Sequence, residues 1–91
     1  METIKILNFT YKIEEIPLID DDADILGQIN HVKQTIFIRN DISAERKRVV
    51  LFHEVLHAIL EQLGFVEEHD NEHLIDCLAA SLLKVKADNQ I

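Results

Sequence analysis

Two histidines and a glutamate stand inside the most apolar stretch of the chain, "LFHEVLHAIL", residues 51–60. On an α-helix, residues four apart are turned by only about 40° and separated by one turn along the axis. His53 and His57 would then project side by side, and two imidazoles with a third protein ligand are the donor set of a catalytic zinc site. Glu54 is rotated about 100° from His53. It is poorly placed to ligate the same ion but well placed to lean over its open side. There it would take a proton from a metal-activated water, the general-base role in H-E-x-x-H hydrolases. The competing reading is two core histidines hydrogen-bonded to neighbours. It requires a partner for every buried polar group, because each one left without costs a few kcal/mol.

A zinc site of this kind needs a third ligand. His69, Glu72, His73 and Asp76 follow within reach of a second helix. With Glu72 set at 0° and about 100° per residue, Leu74, Ile75, Leu78, Ala79, Leu82 and Val85 centre near 270°, marking the expected packed face. Glu72 and Asp76 fall at the border of that face, and His73 falls nearly opposite it. Glu72 is therefore the expected third ligand. Asp76, one turn on, is placed to accept the far N–H of a ligand histidine and fix its tautomer.

The elements that must carry these residues are legible in outline. "TIKIL" and "YKIEEI" read as strands, and Pro17 ends that section. "DILGQINHVKQTIFIRN" reads as a hairpin: a short strand at Leu26–Asn30, a turn near His31–Lys33, and a stronger strand at Thr35–Arg39. Gly27 inside the first of these suggests a bulge or a close backbone approach. Ser43 is an N-cap candidate for a helix running without Gly or Pro to a stop at Gly64. "FVEEHD" reads as a loop, and a second helix is expected from Asp70 or Asn71 to about Lys86. The order predicts an α+β domain: a small N-terminal antiparallel or mixed sheet followed by two packed helices, as one domain over 1–91.

Composition narrows the function. The net charge is −8, from 17 acidic and 9 basic residues, which argues against a nucleic-acid phosphate surface. No apolar run reaches the ~20 residues of a membrane span, and "METIKILNFTYK" has no signal-peptide core. The single cysteine, Cys77, cannot form an internal disulfide, so a reducing cytoplasmic location is expected. Cys77 itself reads as a buried small hydrophobe. The acidic run Asp20–Asp24 lacks the glycine and closing glutamate of a calcium loop and reads as a solvated loop.

H-E-x-x-H followed after an interval by E-x-x-x-D resembles the glutamate zincins, the group typified by thermolysin. More closely, Leu26–Asn89, about two-thirds of the chain, resembles the small phage and mobile-element members of the ImmA/IrrE metallopeptidase family. Gly27, "TIFIRNDISAERKRVVLFHEVLHAIL" and "NEHLIDCLAASLLKVKADN" carry the likeness. The resemblance implies a minimal zincin-like domain with His53, His57 and Glu72 as ligands of Zn2+, Glu54 as catalytic base and Asp76 in support. It also implies a protein or peptide substrate, for which Leu26–Asn30 would offer an edge strand beside the cleft. Leu56 and Glu61 stand where the family often has glycine and histidine, so the chain reads as a divergent branch. His31, His69, His73 and Tyr11 remain open as groups to stabilise an oxyanion. Two other readings compete with the peptidase: a non-catalytic, zinc-stabilised binding module of phage or mobile-element origin, and a metal-free structural protein.

Overall fold

A computed structural model describes residues 2–89. The chain forms strands β1 (Glu2–Ile6), β2 (Phe9–Ile16), β3 (Gly27–Asn30) and β4 (Thr35–Arg39), then helices α1 (Ala44–Gln62), α2 (Val66–His69) and α3 (Glu72–Asn89). The sheet is mixed, in the order β1-β2-β4-β3. β1 and β2 form an antiparallel hairpin. The loop 17–26 then carries the chain past the β4 position to the far edge, where β3 forms. A turn at 31–34 brings β4 back between them, antiparallel to β3 and parallel to β2. β4 is consequently paired on both edges, and Ile36 and Ile38, on the face that carries α1, are buried.

α1 lies across one face of the sheet. Ala58 meets Ile6, Tyr11, Ile36 and Ile38, with Val50, Leu51, Val55 and Ile59 packed around them. A second apolar cluster joins α1 to α3 through Leu56, Ile75 and Ala79. The ends of α1 follow the expected chemistry. The Ser43 side chain accepts from the Arg46 amide at 3.1 Å. At the other end Gly64 takes φ 83°, the Phe65 amide donates to Leu60 O and the Gly64 amide donates to Glu61 O. That is the pattern of a glycine-terminated helix with its last carbonyls satisfied.

Three expectations need correction. "FVEEHD" is not a plain loop, because Val66–His69 closes one helical turn, α2. α3 has a narrower buried face than the wheel implied: Ile75 and Ala79 are buried, but Leu78, Leu82 and Val85 are exposed. Only one flank of α3 meets α1, so apolarity overstates the packed arc. Cys77 lies outside that flank and is exposed, not buried.

Two local features bear on the site. The Asn71 side chain accepts from the Leu74 amide at 3.0 Å, which fixes the start of α3 and makes Glu72 its first residue. Arg39 is buried at the end of β4. It donates to both oxygens of Asp41 and, at 2.9 Å, to the carbonyl of Ala23. This anchor holds the loop that leads into β3 against the body of the sheet. Among the described residues no helix is long and apolar enough to cross a membrane.

Candidate metal centre

His53 and His57 project from the same side of α1 with their Nε2 atoms 3.1 Å apart. Glu72, at the head of α3, reaches both: Oε2 lies 2.8 Å from His53 Nε2 and Oε1 3.0 Å from His57 Nε2. One ligand atom from each of the three residues lies within 4.8 Å of the others. Asp76, one turn further along α3, holds the opposite nitrogen of His53, with Oδ1 2.7 Å from Nδ1.

This donor set fits a cation. With Nδ1 turned to Asp76, His53 directs Nε2 at a carboxylate oxygen of Glu72. Burial, against the pull of Glu72, holds His57 below the ordinary histidine range. Donor atoms from three side chains then converge on one point, the arrangement that a divalent cation takes. Tetrahedral bonds of ~2.0–2.1 Å place ligand atoms roughly 3.3 Å apart. The observed separations, 3.1 Å between the two nitrogens and 2.8 and 3.0 Å from them to different oxygens of Glu72, lie close to that spacing.

Glu54 sits one residue on from His53 and is as buried as His57, at 6 % exposure. Burial pushes its carboxyl up to about 7; Glu72 adds to the rise and His53 opposes it. Glu54 and His53 border two hollows, one on each side. The first is walled by loop 24–27 and the start of α1, the second by Ile29, His31, His69 and Asp70.

The edge strand β3 runs along both hollows, and its polar groups can be assigned. The Arg39 amide donates to Leu26 O. With the observed register, Leu26, Gln28 and Asn30 are the residues that exchange hydrogen bonds with β4. The N–H and C=O groups of Gly27 and Ile29 therefore face the open edge, toward the cleft. Gly27 explains how the strand comes so near α1. A Cβ there would overlap Val50 Cγ1 and stand 3.2 Å from Glu54 Oε2. The register is continuous through Gly27, so the glycine marks close approach and not a bulge. Gly27→Ala should cost about 1–3 kcal/mol of stability through overpacking. A shift in the urea midpoint checks this, and an unchanged midpoint would show that β3 can move away freely.

Residues 8–83 match the family model of the IrrE N-terminal-like domain, Peptidase_M78. The chain belongs to this family. No curated protein and no solved structure matches it significantly. The family model covers β2 to α3, and so every residue that the M78-type domain here brings to the centre.

The remaining polar residues considered from sequence separate cleanly. Tyr11 is a core residue of β2 at 1 % exposure and does not approach the centre. His73 points along exposed α3 to Cys77, with Nε2 3.8 Å from Sγ. His69 does approach: its Nδ1 lies 3.1 Å from His57 Nδ1 and 3.2 Å from the His57 carbonyl. His31 stacks edge-on against His69 at 5.3 Å. It is not a solvated turn residue, since its Nδ1 is buried without a hydrogen-bond partner and burial lowers its pKa. Sequence spacing carries no signal for this row of three imidazoles. It forms because α2 folds His69 back over α1 and the β3–β4 turn brings His31 alongside.

Proposed function

We propose that this M78-family domain is a zinc-dependent peptidase that hydrolyses peptide bonds of a protein substrate. The observation that carries the reading is the convergence of His53, His57 and Glu72 ligand atoms within 4.8 Å beside the buried carboxyl of Glu54. His53, His57 and Glu72 would hold the ion. Asp76 would hold His53 in the tautomer that offers Nε2, and His69 would stand behind His57 on the side away from the ion. A zinc ion held there supplies Lewis-acid polarisation of a carbonyl and a water that ionises near neutral pH. Glu54, buried beside the three ligands, would accept a proton from that water and return it to the departing amine. Gly27 and Ile29 would pair with an extended substrate through their free backbone groups. His31 and His69 border the hollow beyond, where an N–H could meet the developing oxyanion.

The test is metal content together with hydrolysis. Purified protein should hold close to one zinc per chain. It should cleave an unfolded protein such as casein, lose that activity with 1,10-phenanthroline and regain it with added zinc. Zinc uptake with no hydrolysis of any peptide is the result expected of a zinc-stabilised binding module. A metal-free protein of undiminished stability would remove both readings.

A further inference from the structure

We propose that the exposed apolar stripe of α3 is the interface of a two-fold homodimer, in which α3 of one copy pairs antiparallel with α3 of a second. The inference stands apart from the peptidase reading, since it uses none of the groups at the metal centre. α3 packs against α1 and α2 and, among the described residues, against no strand. Of its 18 residues only Ile75 and Ala79 are buried. Leu78, Leu82 and Val85 are 38 %, 45 % and 50 % exposed, and Leu74 is half-buried. At about 100° per residue these four leucines and valine positions fall within an arc of about 80°, adjoining the flank that Ile75 and Ala79 bury. Glu72 and Asp76 stand on the other side of the helix, so pairing along the stripe leaves both metal centres open.

The charges select the occupant. α3 runs antiparallel to α1: Glu72 reaches His57, and the Lys86 ammonium lies 5.9 Å from the centre of the Phe52 ring. The start of α1 and the end of α3 therefore share one end of the helical layer. Arg46, Lys47, Arg48, Lys84 and Lys86 stand there, five of the nine basic residues of the chain. Glu45 and Asp88, at the same end, offset two of those charges and leave three. The opposite end carries Glu61, Glu67, Glu68, Asp70 and Glu72. A second copy laid head to tail along the stripe sets the basic end of each on the acidic end of the other, and two-fold symmetry makes the match twice. A parallel pair sets like charge on like charge. An anionic membrane meets repulsion from the acidic end, in a chain of net charge −8. From Leu74 to Val85 the stripe runs over about 18 Å of helix. That is short of a standard interface of about 800 Å² per partner, so the dimer is weak, with a Kd of roughly 1–100 µM.

The test is the mass of the full chain in solution. Sedimentation velocity from about 1 to about 500 µM should show it rise from one chain to two. Leu82→Glu should raise the Kd more than ~100-fold, because it places an unpaired carboxylate from each copy in the contact. Leu82 lies outside the buried clusters, and an unchanged circular dichroism spectrum checks that the variant is folded. Two double variants test the direction of pairing. Lys84→Glu with Lys86→Glu turns the basic end acidic, and Glu67→Lys with Asp70→Lys cancels most of the acidic end. Each alone should dimerise about 10-fold or more weakly than the wild type, and an equimolar mixture should form heterodimers tighter than either, since one matched contact survives.

A chain that stays monomeric at about 500 µM would overturn the proposal and leave the stripe to another occupant. So would a dimer that Leu82→Glu leaves intact, or a mixture no tighter than its separate variants. The wild-type and mixing measurements decide the matter even if Leu82→Glu does not fold.

Discussion

Glu72→Ala is expected to weaken zinc binding by more than ~100-fold, beyond the ~10–100-fold typical of losing a partner behind a ligand. The geometry gives the reason. Glu72 is the one carboxylate that touches both imidazoles, at 2.8 and 3.0 Å, and the one ligand that comes from outside α1. Without it two neutral nitrogens from a single helix face the ion, and the charge of the site falls by one. Asp76→Asn should fall within the ~10–100-fold range, because it loses only the anion that orients His53. His73→Ala should change nothing, since His73 turns along exposed α3 toward Cys77. The Glu72 side chain is 62 % exposed, so its removal leaves the core untouched and loss of metal cannot be laid to unfolding. Competition against a chromophoric chelator measures all three variants. If His73→Ala cost more affinity than Glu72→Ala, the ion would be held by a different set of residues.

The contrast between Glu72 and Cys77 shows how far the sequence could be read. The place of Glu72 beside His53 and His57 is within reach of the sequence because an α-helix has a fixed angular step. Once the apolar arc of α3 is drawn, a carboxylate at its border must stand beside whatever the arc packs on. The same wheel misplaced Leu78, Leu82 and Val85, because it assigns burial by apolarity, and the apolar run around Cys77 misleads in the same way. How much of an apolar arc is covered depends on the breadth of the neighbouring element, and α1 offers α3 only a narrow flank around Leu56. Strand existence was legible from alternation and turn residues. Strand order was not: β2 and β4 pair in parallel only because loop 17–26 reaches the far edge, and that choice is made by non-local packing. The burial of Arg39 leaves no local signal for the same reason, since its acceptor, Ala23 O, is distant in sequence. His31 and His69 are candidates by residue type, but the contacts of His69 with His31 and with His57 are tertiary and leave no spacing to find.

Glu54→Gln should lower the rate of hydrolysis by ~10²–10⁴-fold, the range of a lost general base, while zinc stays bound. Glutamine keeps the shape and one acceptor oxygen but cannot carry a proton from water to the amine. The same substitution tests the physical state of the carboxyl with no substrate present. Folding raises the Glu54 pKa from 4.5 to about 7. Between those values the folded protein keeps a proton that the unfolded chain has released, so stability falls as pH rises through that window. Above pH 7 the penalty is complete, at about 3 kcal/mol for a shift of this size. Metal-free Glu54→Gln should therefore match the wild type near pH 4.5 and exceed it by about 3 kcal/mol above pH 7. His57, whose pKa is lowered on folding, contributes the opposite slope below its unfolded value, and that slope is common to both proteins and cancels in the difference. A bound dication favours the charged carboxylate, so zinc saturation should shrink the gap. Denaturation curves across pH, with and without zinc, read all of this. A difference that does not vary with pH would mean that Glu54 ionises in the folded protein as it does in the unfolded chain, and that burial does not raise its pKa.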